Sequence, residues 1–173
     1  SAAKTINFGI LYGMSPHGLS VATGMTRDQA ASFIDKYKAL RRPLFDYMDK
    51  VLETAKKVGY VETLFGRRRP MPDIHSSNFA IRSAAERAAV NMPIQGTEAD
   101  LMKLAMIKCE SIIQQQDYPC RQLLQIHDSV LIECQADYAE SLAKQIQDAM
   151  QQVHKLPVRL DVDVTIGDNW GQL

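Results

Sequence analysis

Lys4, Phe8 and Tyr12 recur at intervals of four in the opening run AAKTINFGILYG. Residues at i, i+4 and i+8 share one side of a chain when its backbone is helical. The spacing therefore predicts an opening helix with a cation, an aromatic ring and a phenol in one slowly drifting stripe. Such a stripe suits a phosphate and two bases; equally, an amphipathic helix can bury Phe and Tyr in its core and leave Lys in solvent. Gly9 and Gly13 flank the stripe, and each weakens an isolated helix by about 1 kcal/mol relative to Ala. That cost is understandable where a bulky flat partner approaches the backbone.

Helix signals continue downstream. Thr26-x-x-Gln29 reads as a capping box for a helix with Ala30, Phe33, Ile34 and Tyr37 inward. Pro43 suits the first turn of a further helix presenting Leu44, Met48, Val51, Leu52 and Ala55, which Gly59 ends. The run YVETLFGRRRPMP then changes to strand chemistry, a hairpin turning near Gly66. Two helices are predicted over 78–91 and 97–116, broken at Asn91-Met-Pro-Ile-Gln-Gly, with Thr97-x-x-Asp100 as a second capping arrangement. Residues 122–134 read as two strands bent at His127-Asp128-Ser129. Asp137-x-x-Glu140 starts a helix with Leu142, Ile146, Ala149, Met150 and Val153 on one face. Over 158–166, Val158, Leu160, Val162, Val164 and Ile166 alternate with Arg159, Asp161, Asp163 and Thr165, the pattern of a half-buried strand. The fold class is thus α+β, mostly helical, with antiparallel strands and hairpins. No repeat, low-complexity tract or linker interrupts it.

At 173 residues the chain is long enough to bury about 70% of its unfolded surface, and 46% hydrophobic content fits a globular protein. There is no run of 18 apolar residues and no signal-peptide pattern, which leads to an expectation of no membrane association and a cytoplasmic location. Cys109, Cys120 and Cys134 are odd in number and lack C-x-x-C spacing, so reduced thiols are expected. The zero net charge hides an asymmetry: residues 1–90 hold 14 Lys/Arg against 8 Asp/Glu, a balance of +6, and residues 91–173 hold 6 against 12, a balance of −6. A basic half can engage phosphates, and an acidic half suits metal ions or solvent.

Two further groups carry candidate chemistry. Arg67, Arg68 and Arg69 form the densest basic run, suited either to a soluble hairpin tip or to contact with a nucleic-acid backbone without base specificity. Asp128 sits where a tight bend between strands holds a carboxylate at a surface, although Asp and Ser populate turns for local reasons too. Asp161 and Asp163 belong to the polar face of the alternating segment and carry no catalytic expectation. His17, His75 and His154 lack a partner pattern.

AAKTINFGILYGMSPHGLS resembles the nucleotide-binding helix in the fingers of family A DNA polymerases. The resemblance continues in register through GYVETLFGRRR, NMPIQGTEADLMKLAM and QIHDSVLIE, covering Ala2 to Trp170. It implies template-directed addition of deoxynucleotides to a primer in replication or repair, with two Mg²⁺ ions as cofactor. It implies that Lys4, counted among the catalytic groups, contacts nucleotide phosphates, that Phe8 packs near the sugar and base, and that Tyr12 stacks at the templating position where Gly13 permits close approach. Asp128 becomes the catalytic metal ligand and His127 a primer-end contact. Arg87, Asn91 and Gln95 resemble polar residues reaching the primer–template minor groove or nucleotide, where acceptors common to all correct pairs are read. Residues 1–60 would form a fingers-like part and 61–173 a palm-like part, and a bacterial cytoplasm or nucleoid is the expected setting.

The chain also departs from the family pattern. Most relatives carry Glu directly after this Asp, and here the residue is Ser129, which brings no negative charge. Glu133 lies some 13 Å farther along an extended strand and is a poor substitute. The family's other metal-binding Asp, and an arginine four residues before Lys4, have no counterpart in the sequence. The expectation is therefore a C-terminal polymerase fragment, inactive alone, whose partners are primer–template DNA, deoxynucleoside triphosphate and the missing N-terminal part, and which self-associates through an exposed sheet edge. Alternatives are a non-catalytic nucleic-acid-binding remnant, one half of a split polymerase, or a relative of the single-subunit RNA polymerases, which share the Lys-to-Tyr spacing.

Overall fold

The computed structural model describes residues 2–116 and 119–173. It contains helices α1 (Ala2–Leu11), α2 (Pro16–Thr23), α3 (Arg27–Leu40) and α4 (Arg42–Val58), strands β1 (Tyr60–Glu62) and β2 (Arg68–Pro70), helix α5 (Phe79–Gln115), strands β3 (Cys120–Ile126) and β4 (Ser129–Cys134), and helix α6 (Ala136–Gln151). The architecture is α+β and mostly helical, with two antiparallel hairpins, as the sequence pattern indicates. Two compact units divide the chain, Ser1–Pro93 and Ile94–Leu173. Among the described residues no helix is long and apolar enough to cross a membrane.

In the first unit, local signals set the helix ends. Thr26 accepts from the Gln29 amide while the Gln29 side chain accepts from the Thr26 amide, so the capping box is complete. Helix α2 lies outside the helices that hydrophobic spacing predicts, although Ser15 as N-cap, Pro16 at the first position and left-handed Gly24 at the end mark it fully. Ile10, Leu19, Ala30, Ile34 and Tyr37 form one core. Ala55, Val61, Met71, Ile74, Ala89 and Met92 form another beneath the β1–β2 hairpin. Leu44, expected to face inward on α4, is exposed. The hairpin closes on Thr63, whose hydroxyl accepts from the Phe65 and Arg67 amides, and on Gly66 at φ +79°.

The sequence predicts a break at Pro93, but α5 runs through it for 37 residues. Proline removes one amide and crowds the carbonyl of residue 89, yet Ala-rich flanks and burial of Ala89, Met92, Met102 and Ala105 outweigh that local cost. Thr97 and Asp100 lie inside the helix, so they do not cap one. The working start is Asn78, whose Oδ1 accepts from the Ala80 and Ile81 amides at 2.9 and 3.4 Å.

In the second unit, Cys109, Ile113, Leu142 and Ile146 form the core, with Ile132 and Met150 against them. Burial pushes the Cys109 thiol up to about 11, which marks it as inert packing. Strands β3 and β4 pair in antiparallel register from Cys120↔Cys134 to Ile126↔Ser129, with one extra residue near Leu123. Cys120 and Cys134, expected to be free thiols, are bonded to each other at the open end of this hairpin. Cross-strand register brings them together, and sequence spacing does not display register. Residues 158–166 form no strand: the alternation is present, but among the described residues no neighbouring strand pairs with it, and the Val162 carbonyl accepts instead from Gln147 Nε2 at 2.6 Å.

Candidate functional site

Helix α1 buries Ile10 and packs Ile6 against the first core, which turns Lys4, Phe8 and Tyr12 outward. Phe8 is 48% and Tyr12 41% exposed, values that exclude both rings from the core. The rings are nearly parallel, 8° apart with centroids at 6.2 Å, and the Lys4 ammonium lies 5.9 Å from the Phe8 centroid. The stripe therefore exists as cation, plate and phenol on one solvent-facing side. It combines a phosphate-seeking charge with surfaces on which flat rings stack.

Tyr12 lies one residue past α1, its amide still bonded to the Phe8 carbonyl. Its phenol donates to Asn91 Oδ1 at 3.2 Å, so two sequence-predicted site residues that are 79 positions apart meet in the first unit. Gly13 follows at φ +83°, a conformation that costs an L-residue about 1–2 kcal/mol. Its glycine is required by the end of the helix, whatever approaches it. Arg87 donates to Ser83 Oγ at 2.8 Å on the exposed side of α5.

The three arginines are not equivalent. Arg68 donates to Glu62 at 2.7 Å and lies 4.5 Å from the Tyr60 ring centroid. The hydrogen bond to Glu62 is the main cause that raises the guanidinium pKa, and the negative charge of Glu62 acts in the same direction. Arg69 is exposed on β2 opposite Val61, and Arg67 closes the turn through its amide.

In the second unit, His127 and Asp128 are the two loop residues of the β3–β4 hairpin, and both are exposed. His127 has φ +53°, the sign a two-residue hairpin needs at its first loop position to follow strand twist. Gln125 donates to the His127 carbonyl, and Ser129 Oγ donates to Ile126 O at 2.9 Å. The Ser129 hydroxyl is thus used in closing the hairpin. Glu133 is held by Arg121 at 2.7 Å across the strands and is not a substitute carboxylate beside Asp128. Asp128 fits a hard divalent cation as one oxygen donor. Among the described residues no group of three or more His, Cys, Asp or Glu side chains forms a metal cage. Gln95 is exposed on α5 in the same unit. Sequence reasoning missed Asn7, tied to Tyr37, and Ser83, tied to Arg87; their partners lie in tertiary contacts or on a helix face without a motif.

The model of the family "DNA polymerase family A" matches residues 1–172. The thermostable DNA polymerase I of Thermus aquaticus is 46% identical over 169 residues, covering 98% of this chain and 20% of that protein. DNA polymerase I of Deinococcus radiodurans is 47% identical over 169 residues, covering 98% and 18%, and that of Pseudomonas aeruginosa 42% over 171, covering 99% and 19%. A solved structure, the POL domain of Pol1 from M. smegmatis in complex with DNA primer-template and dNTP, superposes with a TM-score of 0.84 at 36% identity. It covers 92% of this chain and 28% of that one. The chain spans about a fifth of the length of the curated relatives it matches.

Proposed function

Because the chain belongs to DNA polymerase family A, we propose that it supplies the fingers-like and palm-like part of a DNA-directed DNA polymerase. The reaction joins a primer 3′-hydroxyl to the α-phosphate of a deoxynucleoside triphosphate with loss of pyrophosphate. The reading rests above all on the exposed Lys4–Phe8–Tyr12 stripe, whose cation and parallel rings match the phosphates and bases of such substrates. The M. smegmatis relative holds primer-template and dNTP, and we carry that partner class to this chain.

In this reading residues 1–60 are fingers-like and 61–173 palm-like. The Lys4 ammonium draws the triphosphate to α1, Phe8 packs beside its sugar and base, and Tyr12 stacks at the templating position. Stacking of this kind contributes about 1–3 kcal/mol per base. Arg67, Arg68 and Arg69 contact the duplex backbone, Arg87, Asn91 and Gln95 reach its minor groove or the nucleotide, and His127 meets the primer end. Asp128 would be one ligand of Mg²⁺, which when bound neutralises charge at the reacting phosphates. The remaining carboxylates, and a neighbouring strand for residues 158–166, come from elsewhere in the polymerase. A bacterial cytoplasm or nucleoid is the proposed setting.

The test is primer extension by the purified chain with Mg²⁺ and four deoxynucleotides, beside Asp128→Asn, together with primer–template binding at rising salt. The expected result is no extension but salt-sensitive binding, as for a polymerase part that needs its complement. Extension abolished by Asp128→Asn would mean that the chain completes a metal site by itself. Absence of both extension and salt-sensitive binding would refute the polymerase reading of this surface.

A further inference from the structure

The apolar contacts beneath α1 are non-directional, and by themselves they leave its rotation about its own axis weakly specified. A directional tie lies on the flank between its buried and exposed sides. Asn7, one residue before Phe8 and three before buried Ile10, accepts at Oδ1 from the Tyr37 phenol at 3.0 Å. Tyr37 is a rigid post. It is 8% exposed, with the Arg41 guanidinium 4.1 Å above its ring, Phe45 edge-on at 6.3 Å and Phe33 at 6.4 Å. A ring confined on those sides fixes where its hydroxyl points, and a buried phenol needs the partner it has found.

We propose that Tyr37 is a positioning residue which, through Asn7, locks α1 at the rotation that presents Lys4, Phe8 and Tyr12 together. Its importance for substrate rests on the nucleotide-binding reading above. At 100° per residue, Phe8 lies one step from Asn7 around the helix, so a rotation released at Asn7 moves the Phe8 plate directly. The bond controls where the stripe faces; it takes no part in the chemistry.

The test uses the 173-residue chain labelled with 4-fluorophenylalanine, the Phe8 resonance being assigned with Phe8→Leu and followed during titration with dATP. Tyr37→Phe removes the donor and keeps the ring, Asn7→Leu removes the acceptor, and Asn7→Asp keeps an acceptor. Loss of one hydrogen bond predicts that Tyr37→Phe and Asn7→Leu shift the Phe8 resonance in the same sense and weaken dATP binding about two- to tenfold. Asn7→Asp should stay near the parent on both counts. An unmoved resonance in Asn7→Leu or Tyr37→Phe overturns the proposal, as does unweakened dATP binding in variants whose resonance has moved. If the resonance moves and is restored in Asn7→Asp while the parent chain binds no dATP, the lock stands and the nucleotide reading of the stripe falls instead.

Discussion

Three adjacent arginines with the same formal charge have different work to do. The Arg68 guanidinium already pairs with the Glu62 carboxylate and covers the Tyr60 ring before any ligand arrives. Arg69 on the same strand is exposed. If this hairpin contacts a nucleic-acid backbone, Arg69→Ala should reduce the slope of log affinity against log salt by about one. Arg68→Ala should change that slope less and instead lower hairpin stability by at most about 1 kcal/mol, since the pair is exposed. Fluorescence anisotropy of a primer–template at several salt concentrations, beside thermal unfolding, separates the two. Equal slope losses would show that the Glu62 pair opens on binding and does not reserve Arg68.

Among the elements, α5 gives the sharpest test, because proline normally ends a helix and here does not. If residues on both sides of Pro93 are helical, Pro93→Ala restores an amide donor and removes a clash, and the chain should gain about 1–3 kcal/mol of unfolding free energy. Urea denaturation measures this, and a neutral or negative change would indicate that the helix is interrupted there as the sequence suggests. The capping box at Thr26 and Gln29, the stop at Gly59 and the hairpin turns at Gly66 and His127-Asp128 were legible because each depends on a few neighbouring residues. The continuity of α5 was not, because burial along its length outweighs one residue's preference. Nor was the Cys120–Cys134 pairing, which follows from strand register, or the fate of 158–166, where alternation states which face would be buried but supplies no partner strand. The same division holds for the site: spacing alone aligned Lys4, Phe8 and Tyr12 but left open whether the rings face solvent or core, and Asn7–Tyr37 and Tyr12–Asn91 join positions 30 and 79 apart.

Across the whole molecule the charge divides as the units do, since residues 91–93 carry none: +6 in Ser1–Pro93 and −6 in Ile94–Leu173. The acidic unit also holds the alternating segment 158–166, of which the Val162 carbonyl accepts from Gln147 Nε2 at 2.6 Å. Val158 is 66% and Ile166 54% exposed, Val164 is exposed with them, and among the described residues β3 and β4 each pair with a strand on one side only. Backbone donors and acceptors along such edges find partners in other chains, and the exposed apolar side chains of 158–166 add area to the encounter. Self-association at high protein concentration should therefore proceed through 158–166, not through the basic unit. Light scattering across a concentration series should show mass rising above 19.4 kDa, with little response to salt because the contact is apolar. Val164→Lys and Ile166→Lys together should return the chain to monomer by placing charges on that face. A monodisperse parent chain at high concentration would contradict the edge as an interface, and association that salt abolishes would move the contact to the charge asymmetry between two copies.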